Sequence, residues 1–156
     1  MHKRGKTKQA IVAEALAAFN EARYGAVTTA ALAQRLGMAE GNLWYHYRTK
    51  RDLLDAIQAL FVEDCRSRLA ELQEIADPVQ AYIGYLRVWR DLFSRYFFIF
   101  RDRREYGTHS PDMVAALPAL YASIEDAMSK IYAALIDQGL LDLKKQDIPE
   151  VVFNAV

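Results

Sequence analysis

Between Thr28 and Tyr47 the chain has room for two short helices, with only Gly37-Met38-Ala39 to turn from one to the other. That spacing is the tightest constraint in the sequence, because helices joined so closely must cross steeply and share one small core. Thr28 has the side chain of a helix N-cap, and Gly37 can take the positive φ that ends the first helix. Leu32, Leu36, Met38 and Leu43 are placed to close the core, and Ala33 is small enough to let the helices cross. This is helix-turn-helix geometry, in which the second helix lies in the major groove of DNA. The other side of that helix offers Glu40, Gly41, Asn42, Trp44, Tyr45 and His46, a polar and aromatic set with no place in a core. Asn pairs with adenine, Glu accepts from the cytosine amino group, and aromatic rings meet thymine methyls. His46 is expected to donate to phosphate. Lys50 opens the next helix, where its ammonium and the free backbone N–H groups can face a phosphate together.

The remainder is helical in period, so the fold class is all-α. No sustained period-2 alternation and no Asn-Gly or Asp-Gly dipeptide marks a hairpin. A first helix is expected from about Thr7 to Ala22, a long one from Lys50 to Glu74, another from Pro78 through Phe100, and one from near Pro118 to Gln138. Tyr106 to Pro111 carries the turn residues of a loop that includes His109, and a last helix begins after Asp147-Ile148-Pro149. That helix is still in progress at Val156, so the chain reads as incomplete at this end. Domains are expected at 1–51 and 52–156. Charge divides at the same place: residues 1–51 hold nine Lys and Arg against three acids, and the rest holds eleven against seventeen. A basic head on an acidic body suits a polyanionic partner for the head alone.

The run from Thr28 to Leu54 closely resembles the N-terminal domain of the TetR family of bacterial repressors. It carries Leu32-Ala33-Gln34-Arg35-Leu36-Gly37-Met38 and Gly41-Asn42-Leu43-Trp44-Tyr45-His46-Tyr47, followed by Lys50. The resemblance is specific over about residues 8–56. It implies a three-helix DNA-binding domain in which a threonine caps the second helix and touches phosphate, as Thr28 can, with Thr29 beside it. Trp44 stands where the family usually has tyrosine. Glu40 is an acid on a DNA-facing helix, repelled by phosphate unless it meets a base donor. The resemblance further implies a homodimer on a near-palindromic double-stranded operator, and a variable helical C-terminal domain that binds a small-molecule effector and dimerises through its last two helices.

For the effector, the residues themselves offer an aromatic stripe. Tyr82, Tyr85, Trp89, Phe93, Tyr96 and Phe100 fall within an arc of about 80° on one helix. Tyr85, Trp89, Phe93, Tyr96, Phe97, Phe100, Met113, Tyr121 and Met128 are the candidate ligand-binding set, and they suit an apolar or aromatic molecule. Each is individually as suited to a core. The arginines from Arg87 to Arg104 read as a solvated face, with Arg101 or Arg104 available to an anionic ligand. Cys65 reads as inert core.

No phosphate-binding glycine loop, His-Glu-x-x-His pair or Gly-x-Ser-x-Gly elbow occurs, so the chain is not expected to be an enzyme. One cysteine and three histidines leave little for a metal site, and no cofactor is implied. Without a signal core or a membrane-length apolar run, the expected location is the cytoplasm. The expectation is thus a ligand-responsive transcriptional regulator, most simply a repressor. The alternative is a helical protein-interaction module, or a small-molecule-binding protein without sequence-specific DNA binding.

Overall fold

The computed structural model describes residues 2–107 and 111–155, with side chains for 7–107 and 111–152. His109 and the loop expected at 108–110 therefore lie outside the described residues. Among those described, the secondary structure is helical, with no strand. The α-helices are α1 (His2–Ala22), α2 (Thr29–Arg35), α3 (Glu40–His46), α4 (Lys50–Gln73), α5 (Pro78–Arg95), α6 (Phe97–Arg101), α7 (Arg103–Tyr106), α8 (Pro111–Asp137) and α9 (Ile148–Ala155), the last entered through a 3₁₀ turn at Lys145–Asp147. None is long and apolar enough to cross a membrane.

Local rules account for most of these boundaries. The Thr28 side chain accepts from the Ala31 N–H at 3.1 Å, capping α2. Gly37 has φ +63° and Gly139 +69°, where the chain leaves α2 and α8. Thr49 and Asp52 exchange bonds at the start of α4, each backbone N–H donating to the other's side chain at 3.1 Å. Asp77 does the same service for α5, its carboxylate accepting from Val79 N at 2.8 Å.

Two expectations fail, each for a physical reason. The helix from Pro78 does not run on to Phe100: it ends at Arg95, and Tyr96 is non-helical (φ −111°, ψ 30°). The Asn20 side chain, reaching from α1, accounts for the break. Its amide donates to the Arg95 carbonyl at 2.7 Å and its oxygen accepts from Phe98 N at 2.9 Å, satisfying backbone groups that a continuous helix would have paired internally. The aromatic stripe therefore stops at Phe93, and Phe97 and Phe100 ride on a different helix. Second, α8 begins at Pro111 and carries Pro118 inside it. Pro118 has no N–H for the Val114 carbonyl, and Val114 is exposed, so water can take that bond.

The chain packs as two compact units, residues 1–61 with 93–113, and 62–92 with 114–156. In the first, Ile11, Phe19, Leu32, Leu43, Leu53, Leu54, Ile57, Tyr96 and Phe98 are essentially fully buried. Phe19 meets the edges of Tyr24 and Phe98 at 5.1 and 5.2 Å between centroids. In the second, Leu69, Leu92, Ile124, Met128 and Val152 are buried, and a Cβ on Gly84 would stand 2.8 Å from Leu72 Cδ2, so a larger residue there would push the Leu72 side chain aside. Cys65 is buried, and burial pushes its thiol up to about 12, in keeping with an inert core cysteine.

Candidate nucleic-acid interface

The helix pair α2–α3 is held by few but well-placed groups. Leu32, Ala33 and Leu43 are buried, and the turn is closed by Gly37 N donating to Gln34 O at 3.1 Å and Met38 N to Ala33 O at 3.0 Å. Arg35, at the end of α2, bonds the carboxylates of Glu14 and Glu21 on α1, the latter at 2.8 Å. The guanidinium holds Glu21 below the usual carboxylate range. These contacts fix α2 against α1 through a base that would otherwise face solvent.

On α3, Leu43 points inward while Glu40, Gly41, Asn42, Trp44 and Tyr45 are exposed, Tyr45 at 66%. Thr28 is exposed and Thr29 half-buried. As an acceptor for Ala31 N, Thr28 keeps its O–H proton to donate outward. Glu40 has a local partner: Thr29 Oγ1 donates to its carboxylate at 2.7 Å, which positions the acid whose like charge to phosphate was the doubtful feature of this helix. His46 is half-buried at the end of α3, its ring 5.4 Å from that of Tyr45, with Nδ1 buried and no partner among the described residues.

Lys50 departs from its expected orientation. Its ammonium donates to the Tyr24 carbonyl and lies 4.1 Å over the Tyr24 ring and 5.6 Å over that of Phe19. Burial pulls its pKa below the usual lysine value. An unsatisfied carbonyl at the end of α1 and two ring faces attract the cation inward, away from the helix start where a phosphate was expected.

Tyr24 belongs to a corner, Phe19 to Gly25, whose importance the sequence does not announce. Arg101 donates to the carbonyls of Phe19 (2.7 Å) and Asn20 (2.8 Å), and Nε to Asp102 Oδ1 at 2.6 Å. Asp102, with no exposed side-chain surface, also accepts from Tyr24 N at 2.8 Å. Arg101, then the Tyr24 N–H, outweigh the burial that opposes them and hold the Asp102 carboxyl below its ordinary value. Glu105 accepts from Gly25 N at 3.0 Å and from Arg23 at 3.1 Å, and Arg23 takes a left-handed φ of 69°. Arg51 donates to Tyr106 O at 3.2 Å. Arg101 is therefore part of a polar clasp on the end of α1 and not one of a solvated row. The only sequence signal was negative: a helix ending at Arg23-Tyr24-Gly25 with no side chain of its own to cap the last carbonyls.

The proposed ligand set divides between the units. In the first, Phe93, Phe97 and Phe100 are exposed, with Phe93 stacked on Phe100 at 4.8 Å, while Tyr96 and Met113 are buried. In the second, Tyr85 and Met128 are buried, Trp89 is half-buried with its ring 6.1 Å from that of Tyr85, and Tyr121 is exposed. No group of three or more His, Cys, Asp or Glu among the described residues is arranged to hold a metal ion.

Residues 11–57 match the family described as bacterial regulatory proteins, tetR family, and residues 60–156 match the one described as bacterial transcriptional repressor. No curated protein matches the chain in sequence. Among solved structures, a TetR-family transcriptional regulator from Marinobacter aquaeolei VT8 is similar at a TM-score of 0.82 and 24% identity, over 99% of this chain and 74% of that one. A regulator from Saccharomonospora viridis in complex with choline gives 0.73 and 19%, over 96% and 79%. AibR in complex with isovaleryl coenzyme A and operator DNA gives 0.69 and 22%, over 94% and 80%. At these identities the structural likeness speaks for the fold, and the relatives are transcriptional regulators. With both halves matched and a helix-turn-helix pair at its start, the chain belongs to the TetR family of bacterial regulatory proteins.

Proposed function

We propose that this protein is a repressor that binds a near-palindromic operator as a homodimer and is released by a small apolar or aromatic effector. Residues 1–51 form the DNA-reading head and 52–156 the regulatory part. The observation that carries the reading is α3 itself: one buried leucine anchors it while Asn42, Trp44 and Tyr45 stand exposed beside it. Asn42 reads a base, Glu40 in its bond with Thr29 is aimed at a base donor, and the aromatic pair meets thymine methyls or backbone. Thr28, Gly41 and His46 contact phosphate.

Effector binding acts through a two-state shift. The residues that contact the ligand are Tyr85, Trp89, Phe93, Tyr96, Phe97, Phe100, Met113, Tyr121 and Met128. The clasp at Asn20, Arg101 and Asp102 supports this route, because any movement of α6 and α7 pulls on the end of α1. The heads of a dimer then no longer match successive major grooves, about 34 Å apart. That AibR was solved with operator DNA and isovaleryl coenzyme A, and the S. viridis protein with choline, supports a small-molecule effector.

The test is fluorescence anisotropy with duplex DNA from upstream of the protein's own coding region, against scrambled duplex, at two salt concentrations. Selective binding that falls steeply with salt is expected. Equal binding to both duplexes, with no salt dependence, would return the exposed aromatics of α3 to a protein-interaction role.

A further inference from the structure

One surface of the first unit has no part in that reading. Along the outer side of α1 runs a groove of about 810 Å³, walled by Val12, Leu16 and Ala17 and, across from them, by Ala56 and Leu60 of α4. Alanine at 13, 17 and 56 leaves the space open where larger side chains would close it. The volume is that of a site for a small organic ligand. Its charged lining is of one sign: Lys8 stands at one end, over the Tyr47 ring at 5.6 Å, and Arg95 at the other, its carbonyl tied to Asn20. Lys8 and Asn20 are twelve residues apart on one helix, which puts the two ends about 18 Å from each other.

We propose that this groove binds a medium-chain fatty carboxylate, with the chain along the α1–α4 wall and the carboxylate at Lys8 or Arg95. An apolar trough with cations and no acid in its lining favours an amphipathic anion over a neutral chain or a cation. The occupant would also touch Tyr47, the residue that follows the recognition helix, so the site sits where occupancy bears on the head. Its lining contains none of the effector residues proposed above, although Arg95 also lies over the Tyr96 ring at 5.3 Å, and it does not depend on DNA binding.

Isothermal titration of the whole chain with dodecanoate, and with dodecanol as the uncharged control, tests the proposal. Dodecanoate is expected to bind with a Kd on the order of 10 μM, and dodecanol about tenfold more weakly. Ala17→Phe should weaken dodecanoate at least about tenfold by filling the groove. Ala13→Phe, at an exposed position, does the same without entering the core and serves if Ala17→Phe fails to fold. Lys8→Gln combined with Arg95→Gln should bring dodecanoate down to the level of dodecanol. A diazirine-bearing dodecanoate should crosslink within residues 8–20 or 47–60. No binding at about 1 mM, undiminished binding by both phenylalanine variants, or crosslinks confined to 114–137 would overturn the proposal, and none of these outcomes touches the DNA-binding reading.

Discussion

The two ends of the head spend their polar groups in opposite ways. At the Phe19–Gly25 corner, Asn20, Arg101, Asp102 and Glu105 all bond backbone groups or neighbouring side chains of the chain itself. On α3 the order is reversed: burial falls to Leu43, and Asn42 and its neighbours face outward. The difference separates holding a helix from using it. A residue that fixes the fold is bonded by distant parts of the chain, whereas the side chains of α3 proposed to read a partner are exposed.

That contrast is broken most forcefully at Asp102. Asp102→Ala leaves the Arg101 guanidinium without its carboxylate and Tyr24 N without an acceptor, and should cost about 3 kcal/mol in urea unfolding. The pH dependence follows from the direction of the shift. Asp102 titrates below its ordinary value when folded, so its contribution is complete above the unfolded value, about pH 4, and is lost as pH falls through the lower folded one. Asp102→Asn should flatten that acid limb, seen as a smaller loss of Tm between about pH 5 and pH 3. An unchanged acid limb would mean that the clasp contributes nothing ionic.

Asn20→Ala comes next, at about 2 kcal/mol. It strips a donor from Arg95 O and an acceptor from Phe98 N, and hydrogen exchange at Phe98, on α6, should speed up before that of the α1 amides does. Exchange that speeds up uniformly would place the cost elsewhere.

These two residues also mark where the sequence stops being legible. The cap at Thr28, the turn at Gly37 and the buried Leu32 and Leu43 follow from rules acting within four residues, and the helix pair could be read almost whole. The end of α5 could not, because its cause is the amide of Asn20, 75 positions from Arg95 in the chain. Arg101 was misread for the same reason: beside it in sequence is a row of arginines, and what it binds is the far end of α1. Lys50 shows the subtler failure, since its place at a helix start was right and only the fold reveals the carbonyl and rings that turn its ammonium inward.

Lys50→Met sharpens the comparison at a residue both ends claim. As a pin for Tyr24 it should cost about 1 kcal/mol of stability and leave the salt dependence of DNA binding as it was. A phosphate contact predicts the reverse, an unchanged Tm and a salt slope smaller by about one. The orientation over Tyr24 favours the first outcome.

Asn42→Ala should disturb the fold least and the function most selectively. The side chain is exposed on α3 and its removal takes away no buried contact, so stability should stay within about 0.5 kcal/mol. Anisotropy against single-base operator variants should nevertheless lose about 1–3 kcal/mol of discrimination at one position per half-site, with non-specific affinity kept. A uniform loss across all duplexes would make Asn42 a backbone contact. A fall in Tm would erase the contrast itself, because it would mean that α3, like the corner at Tyr24, is held by the groups it shows.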